Sequence, residues 1–163
     1  MTLRIHAAKA MVVAAAIGLA VPGFAVANEN DKREISSYVL SEAGLAKFTQ
    51  ATQKLSGVAG ACAEQDDDDS DSQSLDQMVA KLNAVPGAQA AIQSAGMTTR
   101  EYVVFMWSML QSGMSAWAQS QSGKLPPGVS QANVDFYKKH EAEMTAIGEN
   151  DPCDDEEAEE AEE

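Results

Sequence analysis

Two cysteines, Cys62 and Cys153, carry the clearest potential for covalent chemistry in this sequence. They lie far apart and lack the C-x-x-C spacing that is typical of redox-active or metal-binding pairs. In an exported protein, two cysteines ordinarily form a structural disulfide. The sequence therefore predicts a disulfide between Cys62 and Cys153, with a redox or metal-binding pair as the alternative.

A short acidic run is the second candidate site, and it consists of Asp66, Asp67, Asp68, Asp69 and Asp71. Several carboxylate oxygens close together are the ligands that Ca²⁺ prefers. An EF-hand loop starting at Asp67 would nevertheless place Ser72 where glycine is needed and Met78 where the bidentate glutamate belongs. We interpret the run as a solvated acidic loop, with weak divalent-cation binding as the alternative, and predict no specific metal site.

Candidate catalytic residues are few. His140 is the only histidine after residue 27, and it stands beside two lysines and a glutamate, so we expect a solvated side chain rather than a catalytic base. Met106, Met109 and Met114 could bind Cu(I), but methionine also fills gaps in helical cores, and we favour core packing. The sequence has no phosphate-binding glycine loop and no H-E-x-x-H or C-x-x-C-H motif. We predict a protein that is not an enzyme and has no cofactor.

The first 27 residues have the organisation of a secretory signal peptide. A basic start is followed by an apolar run over residues 11–21, a Pro-Gly break, and the A-x-A pattern that ends at Ala27. The apolar run is too short for a permanent membrane span. The sequence therefore predicts a mature chain that begins at Asn28 and resides in a periplasm or outside the cell.

Acidic residues dominate the charge, which is −14 over the whole chain. Besides the aspartate run, residues 149–163 are rich in glutamate and aspartate and poor in apolar residues, which predicts a disordered acidic tail. No basic patch is present to neutralise phosphates, so nucleic-acid binding is disfavoured. The two acidic segments instead suggest a basic protein partner or a cation.

Apolar periodicity and capping residues predict a helical domain over residues 28–148. Ser41 and Ser74 have the positions of N-caps, and Pro86 breaks the helical pattern. Residues 28–39 are expected to form a polar lead without a helix. We predict about five helices, over residues 42–56, 75–84, 86–95 and 99–122 and from Ser130 to Gly148.

The segment from Thr98 to Gly123 is predicted to be the central helix. Thr98 and Glu101 have the spacing of a capping box, and Gly123 suits the left-handed turn after a helix. One arc of this helix is polar, and the rest of its surface is apolar, which predicts coverage by several neighbours. The predicted polar arc contains Glu101, Ser108, Gln111, Ser112, Ser115 and Gln119.

These patterns together predict an all-α fold, a small helical bundle around a central apolar helix. The function that fits best is a non-enzymatic binding or interaction role of an exported protein. The alternative is an envelope protein that binds a divalent cation such as Ca²⁺, or an apolar ligand such as haem between its helices.

Overall fold

The computed structural model describes residues 28–59 and 74–149, and these residues fold into six helices without a strand. The all-α prediction is therefore confirmed for the described part of the chain. The predicted signal peptide, the aspartate run and the segment after residue 149 lie outside it. The helices are α1 (Glu29–Ser37), α2 (Glu42–Leu55), α3 (Leu75–Ala84), α4 (Ala88–Ser94), α5 (Thr99–Ser122) and α6 (Gln131–Glu149).

Helix α5 is the central element, since it contacts each of the other described helices. Its first turn is closed by the predicted capping box. The Thr98 hydroxyl accepts a hydrogen bond from the Glu101 backbone N–H at 3.1 Å, and the Glu101 carboxylate accepts one from the Thr98 N–H at 2.8 Å. At the other end Gly123 adopts a left-handed φ of 68°, as predicted.

The Glu101 carboxylate is expected to make part of the stability pH-dependent. Hydrogen bonds from Thr98 lower the pKa of Glu101 below its ordinary value of 4.5. A pKa that is lower in the folded than in the unfolded state stabilises fully above the unfolded value and progressively less as the pH falls through the folded value. We expect the loss in unfolding free energy caused by Glu101→Ala, measured by urea denaturation, to shrink between about pH 6 and about pH 3. A loss that stays constant over this range would contradict a charged cap.

A cluster of aromatic rings fixes α2 against α5. The Phe48 ring stacks on Phe105 and on Tyr102, each with a centroid distance of 4.9 Å, and Tyr38 meets Phe105 edge-on at 6.2 Å. Such pairs add to the free energy gained from burying apolar area, by about 0.5–1.5 kcal/mol each. Phe105 and Leu45 are almost completely buried at the centre of this cluster.

The prediction that residues 28–39 form a polar lead without a helix is wrong, because Glu29–Ser37 forms α1. Asn28 caps this helix by accepting from the Asp31 backbone N–H at 2.9 Å, and Ile35 inserts into the core with 2% exposure. The buried Asp31 carboxylate also accepts from the Leu75 backbone N–H at 3.0 Å, at the start of α3. A nine-residue helix with one core apolar residue is stabilised mainly by such tertiary contacts, which a periodic pattern does not reveal.

The predicted break at Pro86 is confirmed, since α3 ends at Ala84 and α4 begins at Ala88. Pro86 lies in the intervening turn, rather than in the first turn of a helix as expected. Gly87 takes a left-handed φ of 92° there, which delays the start of α4 by two residues relative to the prediction. Ser130, where the last helix is predicted to begin, caps that helix, because its hydroxyl accepts a hydrogen bond from the Asn133 N–H at 3.4 Å.

Candidate interaction surface

The residues that the sequence singled out for covalent or cation chemistry lie outside the described part of the chain. This holds for Cys62, for Cys153 and for the aspartate run over residues 66–71. The disulfide and the weak cation site therefore stay predictions. In residues 28–59 and 74–149, no group of three or more histidine, cysteine or carboxylate side chains is placed to hold a metal ion.

His140 is not the solvated side chain that we expected, because only 11% of it is exposed. Its Nε2 lies 3.0 Å from a Glu42 carboxylate oxygen, and its Nδ1 lies 3.1 Å from a carboxylate oxygen of Glu143. The ring also packs on Phe136 with a centroid distance of 4.5 Å. An imidazole whose two nitrogens both face carboxylates joins α6 to α2, and this arrangement suits a structural role.

The Glu42 carboxylate is shared between two basic side chains of α6. Lys139 donates a hydrogen bond to it, and this contact lowers the pKa of Glu42, with the His140 contact as the next contribution. All of these groups except His140 are well exposed, so water screens the interaction. The cluster joins α6 to α2 at the surface.

Arg100 forms a second charged junction, where α1, α3 and α5 meet. Its guanidinium makes a bidentate pair with Glu34, with distances of 2.9 and 2.7 Å, and also bonds Asp76. The carboxylates raise the pKa of Arg100 further above its already high ordinary value. Because carboxylates occupy both sides of this guanidinium, it holds the three helices together and is not free to bind an anionic ligand.

The prediction of a polar, solvent-facing arc on α5 is wrong for its three serines, which are buried, whereas Glu101 at the start of the arc is exposed. Ser108 and Ser112 are each 1% exposed, and Ser115 is 5% exposed. The Ser108 hydroxyl donates to the Ile35 carbonyl at 3.2 Å, and the Ser112 hydroxyl donates to the Ser108 carbonyl at 2.6 Å. Because backbone carbonyls accept hydrogen bonds from Ser108 and Ser112, these two side chains can be buried without an unpaired hydroxyl.

The opposite side of α5 is exposed although it is apolar. Met106, Leu110 and Trp117 are 37%, 42% and 64% exposed, and we name these three residues the apolar stripe. At 100° per residue they fall within an arc of about 40°. Neighbouring helices contact α5 on several sides, as predicted, but they leave this apolar face exposed.

Helices α3 and α6 flank the apolar stripe. On one side the half-buried Trp107 donates its indole N–H to the Met78 sulfur of α3 at 2.9 Å. On the other side Tyr137 of α6 packs onto Gly113, where an added Cβ would lie 2.7 Å from the ring. The missing side chain at Gly113 therefore lets α6 approach α5 closely, beside the stripe.

The three methionines that could have bound Cu(I) do not share a face. Met109 is buried in the core, as expected from core packing, whereas Met106 belongs to the exposed stripe and Met114 is half-buried. Their directions on α5 differ by at least about 60°. Core packing was thus the right interpretation for Met109 and the wrong one for Met106.

Comparisons with known proteins do not indicate a function for this chain, so a functional proposal has to start from the geometry of the described residues. The sequence matches no protein-family model, no curated protein and no solved structure. Among the described helices, none combines the length and the apolar character that crossing a membrane requires. One sequence signal could have pointed to the stripe, since residues 102–123 contain no charged side chain.

Proposed function

We propose that this chain is an exported, non-enzymatic binding protein, and that the apolar stripe of α5 is its contact surface for another polypeptide. The observation that carries the proposal is the exposure of the stripe. Of the four large apolar side chains exposed in the described residues, three belong to it. Contiguous exposed apolar residues on a folded protein typically mark an interaction site.

The composition of the surface supports a helical or extended protein partner. Trp117 offers a large and rigid anchor, and tryptophan is the residue type most enriched among side chains that dominate binding energy. Met106, with the half-buried Met78 and Met114 close to the stripe, supplies flexible and polarisable contacts that adapt to a partner. Helices with apolar residues at i, i+4 and i+11 are recognised in this way by grooves and by other helices.

The proposal includes the bundle arrangement around α5, the acidic tail after residue 149 and the export signal. The basic start, apolar run and A-x-A pattern of residues 1–27 support cleavage after Ala27. N-terminal sequencing of the protein from the cell envelope or medium is expected to begin at Asn28. A product that retains Met1 would contradict export by this route.

Site-specific photo-crosslinking in the producing cells tests the contact surface. A photoreactive amino acid at Leu110 or Trp117 is expected to give a discrete crosslinked product, because these side chains would lie inside the interface. The matched control is the same amino acid at Gln50, which is exposed on α2. Crosslinking that is absent at both stripe positions, or equally strong at Gln50, would overturn the proposed surface.

A further inference from the structure

We propose that His140 is a pH-sensitive clamp, whose protonated imidazole holds α6 against α2 and whose neutral form loses one of its two carboxylate contacts. The clamp concerns the attachment of α6 to the bundle, and it is independent of the binding role proposed for the apolar stripe. The distances around the ring, its burial and the chemistry of imidazole support it.

Both nitrogens of the His140 ring face carboxylate oxygens. Nε2 lies 3.0 Å from Glu42 of α2, and Nδ1 lies 3.1 Å from Glu143, which is one turn further along α6. A neutral imidazole has one N–H and one lone pair, whereas imidazolium has two N–H donors, and an ionised carboxylate can only accept. The protonated ring can therefore donate to both carboxylates, while the neutral ring directs its lone pair at one of them.

Burial limits the ways in which the ring can avoid this repulsion. Only 11% of the His140 side chain is exposed, and the ring packs on Phe136 with a centroid distance of 4.5 Å. An exposed histidine would turn into water when it lost a partner, but this ring is enclosed on α6. The face of an aromatic ring also attracts a cation. The proton on His140 is thus coupled to the contact between the two helices.

The other charged groups at this contact keep their charge while histidine titrates. Helix α2 contributes Glu42, and α6 contributes Glu143 and Lys139, which shares the Glu42 carboxylate. Hydrogen bonds from Lys139, and then from His140, lower the pKa of Glu42 below its ordinary value of 4.5. Glu42 therefore stays ionised above about pH 5, and lysine stays protonated below about pH 9. Histidine is the residue type in this cluster that changes charge between about pH 5 and about pH 8.

The middle of α6 depends on these contacts for its attachment to α2. In residues 131–147 of α6, the buried side chains are Asn133 and Val134, and both lie in the first turn. His140 lies almost two turns further along, where Lys139 and His140 both reach Glu42. Loss of the His140 proton is therefore expected to loosen α6 from α2 around residue 140, while the first turn of α6 stays docked.

The direction of the pH dependence follows from the two contacts. The imidazolium gains them on folding, so the stabilisation by His140 is fully present at about pH 5.5 and declines as the pH rises and the ring loses its proton. Glu42 and Glu143 are well exposed, so water screens each contact. We expect the destabilisation caused by His140→Gln to be about fivefold larger in the unfolding equilibrium constant at about pH 5.5 than at about pH 8.

Urea denaturation of the chain from Asn28 to Glu163 at these two pH values tests the clamp. The wild type, His140→Gln, Glu42→Gln and the double variant form a cycle that isolates the coupling between the two side chains. We expect this coupling to be about threefold in the unfolding equilibrium constant at about pH 5.5 and below about 1.5-fold at about pH 8. The corresponding cycle with Glu143→Gln is expected to give the same pattern.

Lys139 provides the matched control, because it bonds the same carboxylate and lysine does not change charge over this range. The coupling between Lys139→Gln and Glu42→Gln is expected to be the same at both pH values. If His140→Gln does not fold, Glu42→Gln and Glu143→Gln carry the test, since each is expected to destabilise about twofold more at about pH 5.5 than at about pH 8.

Two results would overturn the clamp. A coupling between His140 and Glu42 that is equal at both pH values would show that the contact does not depend on the proton. A coupling that is larger at about pH 8 would show that the neutral ring is the form that holds α6. Neither result bears on the apolar stripe, whose test is the crosslinking at Leu110 and Trp117.

Discussion

Ser112→Asp is expected to destabilise the protein by roughly 3–5 kcal/mol, whereas Met106→Asp is expected to cost only about 1 kcal/mol. Ser112 is 1% exposed, and its hydroxyl donates to the Ser108 carbonyl. A carboxylate at this position would lose its hydration, could not donate, and would face that carbonyl. Met106 is 37% exposed, so a carboxylate there stays hydrated and costs mainly helix propensity and some apolar contact.

Urea denaturation of both variants measures this difference, and protein at about 1 µM keeps any association through the stripe out of the result. Ser112→Ala is the matched control for the first variant. It removes the hydroxyl without adding charge and is expected to cost less than about 1.5 kcal/mol. Equal losses for Ser112→Asp and Met106→Asp, or a larger loss for the second, would contradict the orientation of α5.

This pair of substitutions shows where sequence patterns fail in this fold. Hydrophobic periodicity assigns serine to solvent and methionine to the core, because it ranks residues by the cost of dehydrating them. It does not include the carbonyl acceptors that lie within reach of a small hydroxyl on a helix. Since Ser108 and Ser112 find such acceptors, their burial costs little free energy. Their small size also lets neighbouring helices approach α5 closely.

Local signals predicted the helix ends well, because capping depends on residues that are close in sequence. The caps at Ser41 and Ser74 and the capping box at Thr98 form as expected, and α3 and α5 have their predicted bounds. The short α1 was missed because contacts with α3 and α5 stabilise it, from residues far along the chain. The exposed stripe was missed for a related reason, since exposure depends on which neighbours the tertiary fold supplies.

Asn133 shows the same dependence on distant residues. Its substitution is expected to cause the second of the two large losses in unfolding free energy. Its side chain is 5% exposed at the start of α6, where it bonds the linker between α1 and α2. The amide oxygen accepts from the Leu40 backbone N–H at 3.1 Å, and the amide nitrogen donates to the Tyr38 carbonyl at 2.7 Å. One side chain thus satisfies two backbone groups more than 90 residues away.

Asn133→Ala is expected to reduce the unfolding free energy by about 2–4 kcal/mol, because it leaves a buried N–H and a carbonyl without their partner. Gln131→Ala is the control on the same turn of α6. Gln131 also makes side-chain hydrogen bonds, to Gln119 and Asp135, but it is exposed, so water replaces them and the loss is expected to stay within about 0.5 kcal/mol. Urea denaturation at neutral pH measures both. Similar small losses for the two variants would mean that water reaches the linker backbone, and that the start of α6 does not hold the α1–α2 linker in place.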